Sequence, residues 1–130
     1  PGVPADIETR FLHCQETLQN VFRSLEQKPL VIPAVQEALQ QADEAISEYS
    51  EKVHWMIDNV YLIEKIIQYG NRYRASDQNL HEKLLKAEEA FYRYDYEQAL
   101  EEAATAVEEV EPGALKKIEQ WLQEEESLQN

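Results

Sequence analysis

Residues 34–74 read AVQEALQQADEAISEYSEKVHWMIDNVYLIEKIIQYGNRYR and decide the fold class of this 130-residue chain. Apolar residues recur there in alternating steps of four and three, and up to residue 69 the stretch contains neither proline nor glycine. The ten positions of this seam are Val35, Leu39, Ala42, Ile46, Tyr49, Val53, Met56, Val60, Ile63 and Ile67. Such spacing is typical of a helix packed along one side. We predict an all-α protein with one central helix of ~40 residues, from about 34 to about 72 and ~60 Å long.

The apolar stripe of this helix is narrow in its first half and wide in its second. Before residue 49 the apolar stripe consists largely of alanines, whereas after residue 53 large apolar residues flank the seam. A wider stripe needs more covering helices. We therefore expect residues 1–56 to form a two-helix antiparallel arm and residues 57–130 to form a multi-helix bundle, with seam residues 53–63 the most buried part of the central helix.

A second seam precedes the central helix and predicts the partner helix of the arm. It consists of Ile7, Phe11, Cys14, Leu18, Val21 and Leu25. We expect Asp6 to cap this helix and Gln27 to lie near its end. Residues 30–32, between two prolines, should cover the end of the core. Cys14 is the single cysteine, so it forms no internal disulfide, and its place on the stripe indicates a small buried hydrophobic residue.

Three shorter helices are predicted after residue 76, with a break at Tyr94-Asp95 and a turn at Pro112-Gly113. Asn79 and Glu82 have the spacing of a capping box for the first of them. Small residues then recur in the pattern of one tetratricopeptide-type hairpin: Ala87, Ala90, Ala99, Ala103 and Ala106, with Tyr96. Arrays of such hairpins need about three units, so we favour tight helix packing over a peptide-binding adaptor, which remains the alternative.

The net charge of −14 argues against nucleic acid and anionic lipid as partners. Residues 88–130 hold 13 acidic against three basic residues. A solvated outer face explains this acidity more simply than an acidic binding surface does. No run approaches the 18 apolar residues of a membrane helix, so we expect this chain to be soluble, although a longer protein could carry an anchor.

Sequence signals of catalysis and of cofactor binding are lacking. We find no glycine-rich phosphate loop, no nucleophile elbow and no HExxH motif. The three histidines are dispersed, and His13 points about 100° away from the adjacent Cys14 on a helix. We expect no enzymatic activity, no cofactor and no metal site.

Residues 65–76, KIIQYGNRYRAS, are twelve residues without an acid in an otherwise acidic chain. Gln68, Asn71 and Arg72 are three and four residues apart and share one helical face. Tyrosine and arginine, the types enriched at interface hot spots, are interleaved there. The candidate partner-binding patch is Gln68, Tyr69, Gly70, Asn71, Arg72, Tyr73 and Arg74. From periodicity alone, a helix end whose arginines pair with nearby acids is an equally good interpretation.

Three segments together resemble the EzrA family of bacterial division regulators: PGVP at 1–4, QYGNRYR at 68–74 and the run from YDYEQAL to EVEPGA at 94–114. They occur in the order and spacing of the C-terminal portion of that family. The resemblance implies an extended, spectrin-like helical bundle. In the family, a transmembrane helix, absent from this chain, precedes a long cytoplasmic arc.

The resemblance also implies a function in division. Family members bind the tubulin-like protein FtsZ, restrain ring assembly away from midcell and act at the septum, on the cytoplasmic side of the membrane. Their QNR patch, implicated in midcell placement, corresponds to Gln68, Asn71 and Arg72. We therefore expect a recruiting surface for FtsZ and other division proteins, with a purely structural spacer as a further alternative. The weakly covered arm is expected to pair with a second copy or with a preceding bundle.

Overall fold

The computed structural model describes residues 2–129, which fold into five α-helices without a β-strand. The helices are α1 (Ala5–Glu26), α2 (Ile32–Arg74), α3 (Gln78–Tyr92), α4 (Tyr96–Val110) and α5 (Ala114–Gln129). The all-α prediction is confirmed, and so is the long central helix, since α2 contains 43 residues. Pro1 of the PGVP segment and Asn130 at the C-terminal end lie outside the described residues. Over residues 2–129, every helix is too short or too polar to span a bilayer.

The start of α2 lies two residues before the predicted start, with Pro33 in the first turn. Proline is tolerated there because the N–H it lacks has no partner within a helix. Residues 30–32, which include the first residue of α2, are about half exposed. Our expectation that it covers the end of the core is therefore wrong.

Residues 2–129 divide into two compact units, Gly2–Trp55 and residues 56–129. In the first unit α1 runs antiparallel to the first half of α2, because Arg10 bonds to Glu48 at 3.0 Å while Cys14 Sγ donates to the Ala45 carbonyl at 3.2 Å. Its buried residues are Ile7, Cys14, Thr17, Val21, Ala42 and Ala45. Cys14 is buried, as predicted.

The start of α1 corrects one detail of the prediction. The N-cap is Pro4, whose carbonyl accepts from the amides of Ile7 and Glu8, and no side chain caps this end. Asp6 lies in the first helical turn instead. There its carboxylate is 3.4 Å from Arg10 and 3.7 Å from Lys52, and a negative charge in the first turn favours the helix dipole.

The second unit has the deeper core. Residues of α3, α4 and α5 cluster with residues 62–73 of α2, and Ile63, Ile66 and Leu84 are completely inaccessible to solvent. Our expectation that seam residues 53–63 are the most buried is wrong, since Val53, Met56 and Val60 are only partly buried. The most buried stretch of α2 comes later because the three shorter helices pack against its last turns.

The small residues of α3 and α4 serve tight packing, as predicted. Ala87, Ala90, Ala99, Ala103 and Ala106 are at most 1% exposed, and Tyr96 is buried with them. With no side chain beyond Cβ, alanine allows two helix backbones to approach closely. The hairpin formed by α3 and α4 therefore belongs to the core of its own unit.

Side-chain capping and one unusual backbone angle determine where the shorter helices begin and end. Asp77, one of the residues 76–79 expected to mark this cap, caps α3 by accepting from the Leu80 amide at 3.0 Å. The N-cap thus lies two residues before Asn79, from which the capping box was predicted. The predicted break falls at Tyr94, which has φ +66°. Its amide donates to the Phe91 carbonyl, and the Asp95 amide donates to the Ala90 carbonyl. This pair of bonds is the Schellman end of a helix, and it turns the chain directly into α4.

Candidate protein-binding surface at the end of the long helix

The candidate patch at residues 68–74 lies in the last two turns of α2 and separates into two groups. Gln68, Asn71 and Arg72, hereafter the exposed trio, are open to solvent. The other four residues, hereafter the support residues, are buried or partly buried: Tyr69, Gly70, Tyr73 and Arg74. The helical spacing predicted that the exposed trio shares one face, and all three residues are exposed. The contacts that bury the four support residues come from other helices and were not predicted.

Gly70 supports the site by its lack of a side chain. A Cβ added there would lie 2.9 Å from Leu84 Cδ1 of α3 and 3.1 Å from Val107 Cγ1 of α4. Both distances are tighter than ordinary carbon contacts. Side chains from two helices therefore come close to the backbone of α2 at this position. Gly70 therefore allows α3 and α4 to pack against the end of α2.

Tyr69 and Tyr73 form hydrogen bonds to Glu111, the residue that follows α4. Both hydroxyls donate hydrogen bonds to the Glu111 carboxylate, which also lies 3.4 Å from Lys117 Nζ. Donation by the two tyrosines, chiefly Tyr69, lowers the pKa of Glu111 from 4.5 to about 2. The same bonds raise the pKa of Tyr69 and of Tyr73 above 10.0. A charged acceptor for two hydroxyls makes the stronger kind of hydrogen bond, so this cluster holds the orientation of both rings.

Arg74 joins α2 to α3. Its guanidinium donates to His81 Nδ1 at 2.7 Å and to Glu88 at 2.6 Å. A third bond, at 3.2 Å, reaches the side-chain oxygen of Asn71 in the exposed trio. The interpretation in which arginines pair with nearby acids therefore applies to Arg74.

Arg72 has a different environment from Arg74. Its guanidinium carbon lies 3.9 Å from the centre of the Tyr69 ring and 6.0 Å from that of Trp121 in α5. The two rings are themselves 5.7 Å apart. Within residues 2–129, Arg72 forms no ion pair with a carboxylate. The positive charge of Arg72 therefore makes cation–π contacts with aromatic rings and is not neutralised by an acid.

Two grooves border the exposed trio. The α2–α5 groove, of about 210 Å³, is lined by Lys65, Gln68, Tyr69, Arg72, Ile118, Trp121, Leu122 and Glu125. The α2–α3 groove, of about 290 Å³, is lined by Glu64, Ile67, Gln68, Asn71, Glu88, Phe91 and Tyr92. Gln68 contributes to both. The polar side chains of the exposed trio therefore lie between two grooves, each of which is lined in part by apolar residues.

Sequence reasoning missed three residues that build this surface. Glu111 anchors two tyrosines, Trp121 forms a wall, and Glu108 accepts from the amides of Gly113 and Leu115 at 2.7 and 3.2 Å to cap α5. A signal for the two glutamates existed, because both lie in the run 94–114 that carries the resemblance. Trp121 is 48% exposed, and the sequence carries no local signal for this exposure.

The arrangement offers contacts for a macromolecule rather than reactive groups. Among residues 2–129 no cluster of three His, Cys, Asp or Glu side chains is placed to hold a metal ion. The groups at hand are an amide pair, an arginine and exposed aromatic rings, which are the groups that protein interfaces use.

Comparison with known proteins assigns the chain to a family. The family model described as "Septation ring formation regulator, EzrA" matches residues 1–122. A septation ring formation regulator EzrA of Oceanobacillus iheyensis is 48% identical over 120 residues, which are 92% of this chain and 21% of that protein. The proteins of the same name from a Geobacillus species and from Listeria innocua are 43% and 40% identical, over 98% of this chain and 22% and 23% of their own lengths.

No solved structure matches the chain significantly. The chain spans about a fifth of the length of the curated relatives it matches. The family is named for the regulation of septation-ring formation, which is not a catalysed reaction. On the match over residues 1–122 and the identities of 40–48%, this chain belongs to the EzrA family of septation ring formation regulators.

Proposed function

We propose that this chain is a protein-binding part of a septation regulator, and that Gln68, Asn71 and Arg72 form the surface that recruits the regulator to the division septum. The observation that carries the proposal is the separation within residues 68–74. Four of the seven residues hold helices together, while the three that packing does not need are polar and exposed. They lie in an acid-free window of a chain with net charge −14.

The rigidity of the last turns of α2 also supports the proposal. The backbone beneath the exposed trio is fastened on two sides, by Tyr69 and Tyr73 to Glu111 and by Arg74 to His81 and Glu88. A surface held in one conformation loses less entropy when a partner binds. Such pre-organisation suits recognition better than it suits a spacer, whose exposed face needs no fixed geometry.

The partners we propose are FtsZ and other proteins of the division machinery. This follows from membership of a family that regulates the septation ring and from the correspondence of the exposed trio to the family's QNR patch. Binding there places the regulator at the cytoplasmic face of the septum, where it restrains ring assembly. The tetratricopeptide-type adaptor is less well supported, because the alanines that define its pattern are buried within their own unit.

The test is the septal localisation of a fluorescent fusion of the full-length regulator carrying the Arg72→Glu substitution. The control is Lys86→Glu, which makes the same charge change at another exposed position of the second unit. Both variants should fold, since exposed substitutions cost less than about 0.5 kcal/mol. Septal fluorescence should be lost for Arg72→Glu and kept for Lys86→Glu. Normal localisation of a folded Arg72→Glu protein would refute the recruiting role.

Purified components separate direct from indirect binding. The intact chain and both variants are immobilised and exposed to purified FtsZ and, in parallel, to lysate of dividing cells. Direct recognition predicts retention of FtsZ by the intact chain and by Lys86→Glu, with clear loss for Arg72→Glu. Retention from lysate alone would assign the contact to another division protein.

A separate proposal concerns the first unit, which we infer pairs with further helical surface. Large apolar side chains of α1 remain exposed there, including Leu12 at 62% and Phe22 at 63%. An apolar groove of about 420 Å³ between Val3, Ile7, Phe11, Leu12 and Tyr49 lies in the same unit. A second copy of the chain is the partner that can be tested directly, as a homodimer.

A further inference from the structure

The α2–α5 groove has an apolar floor and an exposed aromatic wall. Ile118 and Tyr69 at its floor are 2% and 4% exposed, whereas Trp121 is about half exposed. Tryptophan, tyrosine and arginine are the residues most enriched among interface hot spots. The groove volume of about 210 Å³ is below the usual range of small-molecule sites. It suits a side chain or a short chain segment of a protein partner.

The guanidinium of Arg72 has the chemistry to bind a carboxylate. Its carbon lies 3.9 Å from the centre of the Tyr69 ring, and the N–H donors of a guanidinium project from the edge of its plane. Two parallel N–H donors match the two oxygens of a carboxylate. No carboxylate of residues 2–129 pairs with Arg72. A side-chain hydrogen bond joins Arg72 to Tyr73, and the further N–H donors of the guanidinium are available to a partner.

The opposite end of the groove has a different charge balance. Glu125 lines it there and accepts from the Tyr61 hydroxyl at 2.9 Å, with Lys65 Nζ 3.9 Å away. Lys65 precedes Arg72 by seven residues, about 10 Å along a helix. The positive charge at that end is thus offset by an acid of the same unit. An unneutralised cation is found at the Arg72 end.

The α2–α3 groove lacks this complementarity. It is lined by the exposed ring of Tyr92 and by Glu64 and Glu88, of which Glu88 is paired with Arg74, and no basic residue of the described part of the chain lines it. An acidic segment would be repelled there, because like charges brought together at an interface are unfavourable. Charge therefore distinguishes the two grooves beside the exposed trio.

We propose that the α2–α5 groove binds a segment of the partner protein that carries a carboxylate next to a large apolar side chain. The carboxylate pairs with Arg72, the apolar side chain lies against Trp121, and the neighbouring backbone is within reach of Gln68. This inference rests on the proposed function, since it names the chemistry that the recruiting surface recognises. It also adds Trp121, which lies outside residues 68–74, to that surface.

The test begins with a library of random 12-residue peptides displayed on phage and selected on the immobilised whole chain. Selected peptides should share an aspartate or glutamate within a few residues of Leu, Phe, Ile or Trp. The best peptide is then synthesised, together with a copy in which Asn or Gln replaces the acid. The copy should bind about tenfold more weakly, as expected for loss of a strong interface contact.

Matched variants locate the binding site. Arg72→Gln and Trp121→Ala should each weaken peptide binding about tenfold. Lys86→Gln, which removes a cation elsewhere, and Tyr92→Ala, which removes an exposed ring in the α2–α3 groove, should leave binding within about twofold. Arg72→Lys keeps the charge without the paired donors and should bind with intermediate strength. Amide spectra of each variant verify the fold, and the indole N–H signal of Trp121, assigned by its loss in Trp121→Ala, should shift on binding.

Several results would overturn the proposal. These are a selection that enriches basic peptides or none, equal binding of the uncharged copy, and peptide-induced shifts confined to the α2–α3 groove. The outcome is separable from that of the recruiting role. If Arg72→Glu abolishes septal localisation while the selection fails, only the assigned chemistry is wrong. If acidic peptides bind the groove while localisation is normal, the groove exists but does not recruit.

Discussion

The two units of this protein carry apolar seams of the same period but bury them to different extents. In Gly2–Trp55 the buried apolar residues of α1 are seven residues apart, and the seam residues Phe11, Leu18 and Leu25 are 41–52% exposed. In residues 56–129 the core side chains Ile63, Ile66 and Leu84 are completely covered. One helix faces α2 in the first unit, whereas three contribute to the core in the second. The apolar area removed from water, and with it the stabilisation, differs accordingly.

This difference is consistent with our proposal that the recognition surface lies in the second unit. A binding site needs side chains held in one arrangement, and such order follows from a core whose members are fixed by packing. Weakly covered units open locally at lower free energy. The comparison leads to four predictions. For the first two, native-state hydrogen exchange of the whole chain reports the stability of each unit separately.

The largest effect is expected from Leu84→Ala. Leu84 is fully buried and contacts the site of Gly70, so this deletion should cost the second unit about 2–5 kcal/mol of unfolding free energy. Leu18→Ala is the matched change in the first unit. Because Leu18 is already 41% exposed, its loss should cost roughly half of that or less. Equal costs in the two units would mean that the core of the first unit is better packed than its exposed seam residues indicate.

Gly70→Val should have the next largest effect. The added Cβ alone would lie 2.9 Å from Leu84 Cδ1, and two further methyl groups would crowd Val107. Overpacking of this kind costs about 1–3 kcal/mol. Ala45→Val enlarges a buried residue of the first unit, where α1 alone must give way, and should cost less. Amide exchange in residues 78–110 measures the first change, and exchange in residues 7–46 measures the second. A stable Gly70→Val protein would show that α3 and α4 can shift freely.

A smaller, pH-dependent effect is expected at Glu111. The pKa of Glu111 in the folded chain, about 2, lies below the ordinary 4.5. The stabilisation that Glu111 gives to the folded state is therefore complete above pH 4.5 and is lost as the pH falls towards 2. The raised pKa values of Tyr69 and Tyr73 act in the other direction, since their contribution is complete below pH 10.0 and is lost above it. Glu111→Gln should destabilise the second unit. It should also weaken the pH dependence of stability, both at acid pH and above pH 10.0.

The control for this prediction is Glu119→Gln, which removes an exposed acid from α5. Thermal unfolding of the two variants and of the unchanged chain, measured from pH 2 to pH 11, gives the comparison. If Glu111→Gln and Glu119→Gln have the same pH profile, the bonds of Glu111 to the two tyrosines contribute nothing measurable.

The smallest effect on folding is expected from Leu12→Gln and Phe22→Gln in α1. Both side chains are more than 60% exposed, so each change should alter stability by less than about 0.5 kcal/mol. Self-association should nevertheless weaken, because an exposed apolar face is what a second copy would cover. Sedimentation at increasing concentration checks this. A chain that stays monomeric at high concentration, with slow exchange in residues 7–46, would show that the first unit needs no further partner.

The sequence by itself determined the class of fold and the positions of its main elements. The step of four and three along residues 35–67 is a local property of a helix that packs on one side, so α2 was predicted within about two residues at each end. The breaks at Tyr94-Asp95 and Pro112-Gly113 were found for the same reason, since turn chemistry is local. The grouping of Gln68, Asn71 and Arg72 on one face likewise follows from helical periodicity.

The tertiary structure alone decided which parts of these stripes are covered. Met56 and Ile63 have equivalent seam positions, yet one is partly buried and the other completely, because coverage depends on helices that follow more than ten residues later. The same holds for the two arginines. Arg74 meets His81 and Glu88 and becomes a structural link, whereas Arg72 meets Tyr69 and Trp121 and keeps its charge exposed. Periodicity determines the direction in which a side chain leaves its helix, but its environment depends on residues distant in sequence.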